Sequence, residues 1–85
     1  MNDSQIVALF FDRDQRAIEE TAKKYGSYCY TITYSILQNR EDAEEAVSDT
    51  YLALWATIPP HKPVVLRTFL GKIARRTALD RKSVV

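Results

Sequence analysis

Apolar positions recur along this chain at helical spacing, in blocks separated by short polar or proline-rich joints. The first block, Ile6, Val7, Leu9, Phe10 and Phe11, is apolar nearly all round and predicts a short packed helix over residues 4–11, with Ser4 placed to cap it. Asp12 or Asp14 can cap a second helix over 15–25, whose inner stripe is Ile18, Thr21, Ala22 and Tyr25. Gly26 stands where a helix end or tight bend is easiest. A third helix over 27–37 then carries Tyr28, Cys29, Ile32 and Ile36 on one side and Tyr30, Tyr34 and Leu37 on another, the two-sided pattern of a mid-bundle element.

Gln38, Asn39 and Arg40 form a polar joint. Glu41, Asp42, Glu44 and Glu45 then load negative charge onto the first turns of a helix over 41–57, where the macrodipole favours it. Pro59, Pro60 and Pro63 remove three backbone donors, so 58–64 is expected to be a stiff, extended loop. The last helix, 65–82, places Leu66, Phe69, Leu70, Ile73 and Thr77 on one face. The expected fold is all-α, a compact bundle of four to five helices forming one domain over residues 1–85.

Composition supports a folded chain: 46% hydrophobic and 27% charged residues is a globular balance. No apolar run approaches the roughly 20 residues that span a bilayer, and the polar opening does not resemble a signal peptide, so a cytoplasmic protein is expected, with no membrane partner. The single cysteine, Cys29, cannot make an internal disulfide or a metal cluster alone, and a buried thiol within a helix is expected. No metal and no cofactor are expected.

Charge changes the picture. Residues 1–60 hold five Lys/Arg against ten acids, a net of −5, whereas from His61 onward seven Lys/Arg face Asp80 alone, a net of +6. An acidic front and a basic back suggest two partners of opposite sign, one of them polyanionic. Within the 41–57 helix, Ala43, Val47, Thr50, Tyr51, Leu54 and Ile58 cluster on one side, and Glu45, Ser48, Asp49, Leu52 and Ala56 on the other. Leu52 and Ala56 set an apolar spot beside carboxylates, which suits docking onto a basic helix. On the last helix Arg67, Gly71, Arg75, Ala78 and Lys82 align, flanked by Lys72, Arg76 and Arg81. Gly71 and Ala78 would let a phosphate backbone approach between the cations.

Pro60, His61 and Lys62 add a preorganised edge beside that basic stripe. His61, the sole histidine, has neither a second metal ligand nor a triad partner, and no enzymatic signature is present. The aromatic residues Trp55, Tyr25, Tyr28, Tyr30, Tyr34 and Tyr51 read as core.

Two ordered strings carry a resemblance. NREDAEEAVSDTYLALW at residues 39–55 closely resembles the second conserved region of sigma factors of the extracytoplasmic-function group, and LRTFLGKIARRTALDR at 66–81 is similar to that family's promoter-contacting helix. The segment from Tyr25-Gly26 to Leu37-Gln38-Asn39 also fits, so the resemblance runs from about residue 15. It implies a sigma-70 family region 2 domain, a transcription initiation factor. Its acidic helix would dock on the clamp helices of the largest subunit of core RNA polymerase through Glu45, Ser48, Asp49 and Leu52. The loop over 58–65 and the last helix would melt the promoter −10 element by capturing its single-stranded non-template strand, implicating Pro60, His61, Lys62, Arg67, Thr68, Lys72, Arg75 and Arg76.

The family also implies an anti-sigma factor as a partner, and a linker and a −35-reading region 4 domain beyond this region, so the chain is expected to be one half of a sigma factor. Ser48 stands where the family often has Gln, Phe69 where Trp is frequent and Arg76 where Asn is common. Two other readings share the charge pattern: a helical protein-interaction domain of a transcription regulator without DNA binding, and a helix-turn-helix duplex reader. The long proline loop argues against the latter, which needs a turn of about three or four residues.

Overall fold

Asn2 starts the first helix. Its side-chain oxygen accepts from the Gln5 N–H at 2.9 Å while the Gln5 side chain accepts from the Asn2 N–H at 2.9 Å, a reciprocal capping box that sets α1 (Asp3–Phe11) two residues earlier than a Ser4 cap would. In this computed structural model, which describes residues 1–83, α1 is followed by α2 (Arg16–Leu37), α3 (Arg40–Thr57) and α4 (Leu66–Ser83). No side chain caps α2 at its N-cap, Gln15; the Asp14 carboxylate, one residue earlier, accepts from the Arg16 backbone N–H at 2.9 Å and closes on the Arg16 guanidinium at 2.7 Å. α2 ends on Gln38 in the left-handed region (φ 52°), whose N–H donates to the Tyr34 carbonyl. Asn39 then caps α3 by accepting from the Asp42 N–H at 3.0 Å.

Among the described residues the bundle has four helices, since the bend expected at Gly26 does not occur. Gly26 has no positive φ, and α2 runs through it for 22 residues. Tertiary packing explains the difference: Ala17, Thr21, Cys29 and Thr33 are buried on both sides of Gly26, so a break would sacrifice one stripe or the other. Their burial outweighs the roughly 1 kcal/mol that glycine costs a helix interior. α2 is the spine against which α1, α3 and α4 all pack, and α3 also packs on α4.

Phe10, Ile6, Leu54, Ile58, Leu66 and Leu70 are the largest fully buried apolar side chains. Small residues, Ala17, Ala43, Ala46, Ala74 and Ala78, are wholly buried where the helices approach one another. Buried hydroxyls are satisfied: Thr21 donates to the Ala17 carbonyl, Thr50 to that of Ala46, and Thr33 crosses from α2 to the Ala43 carbonyl of α3 at 3.1 Å. Cys29 is buried as expected, and burial pushes its thiol up to about 11, so it stays protonated and inert at neutral pH. Tyr34 departs from the core reading: it is exposed and stacks on Tyr30 across one helical turn, with ring centroids 5.7 Å apart.

Candidate functional site

α3 separates its two faces as the periodicity predicts. Ala43, Thr50, Leu54 and Ile58 are buried, while Glu45, Ser48, Asp49 and Leu52 are exposed along the opposite side. Leu52 is 67% exposed, an aliphatic side chain in water between acids. Beside it, Ser48, Leu52 and Trp55 of α3 face Gln15, Ile18 and Glu19 of the α2 end across a shallow groove. An apolar floor with a carboxylate edge is suited to a basic, amphipathic helix.

One cation departs from the stripe that periodicity predicts. Arg81 is not part of the outward basic stripe; it is half-buried and turns across to α3, where its guanidinium contacts Glu45 and lies 3.6 Å from Asp42 and 3.7 Å from Asp49. Periodicity places Arg81 on α4 but cannot say that the facing helix presents three carboxylates there. Three acids and one guanidinium leave a local excess of negative charge on α3.

The basic surface runs from the proline loop along the outer side of α4 to Arg76. Pro60, His61, Lys62, Arg67, Thr68, Lys72, Arg75 and Arg76 are all exposed. At 1.5 Å per residue, Thr68 and Arg81 are about 20 Å apart along the helix. Among the described residues Lys62, Lys72, Arg75 and Lys82 make no ion pair, and Arg76 reaches Asp80 only at 4.0 Å, so these charges are available to an external anion. Arg67 stacks its guanidinium 4.4 Å above the Tyr28 ring.

The proline loop and α4 share one concavity, lined by His61, Pro63, Val64, Val65, Thr68, Phe69 and Lys72. Val64 is fully exposed, and His61 stacks on Phe69 with centroids 4.7 Å apart and planes 23° apart. That aromatic pair was invisible in the sequence, because no periodicity connects a loop residue to a helix residue across a proline turn. Chemically the surface combines an aromatic platform, an apolar lip and cations, the elements that hold unstacked bases and their phosphates.

Gly71 and Ala78 do not serve as clearances for a phosphate backbone. Both are buried, because the core stripe of α4 runs through Leu66, Leu70, Gly71, Ala74 and Ala78. A Cβ on Gly71 would lie 2.5 Å from the Tyr28 hydroxyl, so glycine there admits the tyrosine that supports Arg67. Gly71→Ala is expected to change unfolding free energy by less than about 1 kcal/mol in urea titration, its helix-propensity gain offset by displacement of Tyr28. Gly71→Leu is expected to destabilise by about 1–3 kcal/mol. Equal tolerance of both would contradict this packing.

Among the described residues no His, Cys, Asp or Glu cluster could hold a metal ion, and no helix is long and apolar enough to cross a membrane. A family model described as Sigma-70 region 2 matches residues 21–83, which takes in most of α2, all of α3, the proline loop and α4, and leaves α1 outside. No curated protein and no solved structure matches the chain.

Proposed function

The chain belongs to the Sigma-70 region 2 family, a sigma factor domain of transcription initiation, and from that membership we propose how its two surfaces divide the work. The domain, of the extracytoplasmic-function type and acting in the cytoplasm, docks on the clamp helices of the largest subunit of core RNA polymerase through Glu45, Ser48, Asp49 and Leu52. It captures the non-template strand of the −10 element with Pro60, His61, Lys62, Arg67, Thr68, Lys72, Arg75 and Arg76. It has no catalytic role: melting is driven by binding unstacked bases and strand phosphates more tightly than duplex. An anti-sigma factor would regulate it by covering one of these surfaces. A region 4 domain reading the −35 element would complete the promoter-binding protein.

The observation that carries this reading is the separation of the two surfaces. The α3 carboxylates are engaged by Arg81 near the C-terminal end of α4, whereas Lys72 lines the aromatic concavity at its N-terminal end, and Lys62, Lys72 and Arg75 make no ion pair among the described residues. Both partners can therefore be held at once.

The test is fluorescence anisotropy with a library of single-stranded −10 oligonucleotides across a salt series. If Lys62, Arg67, Lys72, Arg75 and Arg76 each meet a phosphate, log affinity falls with log salt at a slope of about −3.5, and Arg75→Ala reduces the magnitude by about 0.7. Salt-independent binding, or none, would favour the protein-interaction domain without DNA binding.

A further inference from the structure

We propose that Arg13, in the turn between α1 and α2, is a positioning residue for the strand-capturing loop: it fixes where that loop leaves α3 without touching DNA. The proposal rests on the reading of the loop given above.

The C-terminus of α3 is where the proline loop begins, and it carries no basic side chain in its own last turn. The cation that the helix dipole favours there comes instead from Arg13, more than forty residues upstream. Its Nη1 donates to the Trp55 carbonyl at 2.7 Å and to the Ile58 carbonyl at 3.1 Å, and its guanidinium carbon stands 3.8 Å above the Trp55 ring. One planar group thus joins the last turn of α3 to the first loop residue. Arg13 holds φ 54°, a conformation disfavoured for a residue with a Cβ, and in it the side chain makes all three contacts.

Apart from its prolines and the His61–Phe69 stack, few contacts restrain the start of the loop. Ile58 is fully buried and its N–H donates to the Leu54 carbonyl, and the His61 N–H donates to that of Thr57 at 3.0 Å. From His61 to Val65 the residues are exposed except for half-buried Pro63, and they include the lip of the aromatic concavity. A small rotation at Ile58 would therefore move His61 relative to Phe69. Trp55 extends the same link to the docking groove, where it stands with Ser48 and Leu52 and tilts against Phe10 at 6.3 Å. With Nη1 shared between two carbonyls and its plane laid on an aromatic face, the Arg13 guanidinium is held at the α3 terminus.

The test uses the whole chain and three variants. Arg13→Asn removes the guanidinium but tolerates the left-handed backbone. It is expected to weaken binding of the single-stranded −10 oligonucleotide about fivefold to tenfold, as when the competent loop geometry falls to between a fifth and a tenth of the population. The salt slope is expected to stay unchanged, because no phosphate contact is lost. Arg13→Lys, which restores charge without the stacking fork, is expected to recover part of the affinity. Fluorescence of Trp55, the only tryptophan, is expected to shift in Arg13→Asn, and the His61 amide to exchange faster. Thr33→Val, which removes the hydrogen bond to the Ala43 carbonyl at the opposite end of α3 from the loop, is expected to bind DNA like the parent.

Parent-like affinity in Arg13→Asn, a slope reduced by about 0.7, or an equal loss in Thr33→Val would each overturn the proposal. If the parent itself binds no single strand, the strand-capture reading fails. The His61 exchange then still decides whether Arg13 holds the loop, and an unchanged rate overturns that claim.

Discussion

Replacing Asp49 by lysine is expected to weaken association with the isolated clamp helices of polymerase by about 30-fold or more, with no change in helical content. Asp49 is exposed in mid-α3, beside Leu52 and one turn beyond Glu45, so lysine there disturbs no core contact. In a complex with a basic helix, however, it exchanges an attraction for a repulsion at the centre of the proposed interface. Losing one partner of a desolvated interfacial charge pair costs about 2–5 kcal/mol, and the repulsion adds to it. A pull-down or anisotropy titration measures it, with circular dichroism as the control for folding. Parent-like affinity would remove this face of α3 from the docking surface.

Phe10→Ala is expected to lower the unfolding free energy by about 3–5 kcal/mol. Phe10 is completely buried and tilts against Trp55, and with Ile6, Val7 and Leu9 it forms the contribution of α1 to the core. At roughly 0.05–0.15 kcal/mol per residue a chain of 85 residues has only about 4–13 kcal/mol in total, so this one truncation removes a large part of it. In urea, with a slope of about 1–3 kcal/mol per molar, the midpoint should fall by about 1 M or more. A shift below about 0.3 M would mean that α1 is not part of the cooperative unit. The outcome matters for function because α1 lies outside the family match, yet it backs Trp55 and leads into the turn that carries Arg13.

Much of the site was legible because it lies on helix surfaces. The row Glu45, Ser48, Asp49 and Leu52 follows from period alone: once Ala43, Thr50 and Leu54 are buried, the opposite positions of the same helix must be exposed. The exposed cations Lys72, Arg75 and Arg76 were legible for the same reason. Gly71 was not. It sits at the margin of the α4 stripe, and which way that margin rolls depends on how closely Tyr28 of α2 approaches, a distance no single helix encodes.

Arg81 and Arg13 make the same point from opposite ends of the chain. Each is an ordinary surface cation by composition, and each is committed to a distant partner, one to the α3 carboxylates and the other to the carbonyls where α3 ends. Local pattern thus accounts for an all-helical chain, the order of its elements, the proline-ruled loop and the split in charge, because these depend on spacing, dihedral limits and counts of ionisable groups. Contacts between elements account for the unbroken α2, the buried Gly71, the His61–Phe69 stack and the roles of those two arginines. They arise from packing between residues far apart in the chain, where close approach in three dimensions outweighs the preference of any one segment.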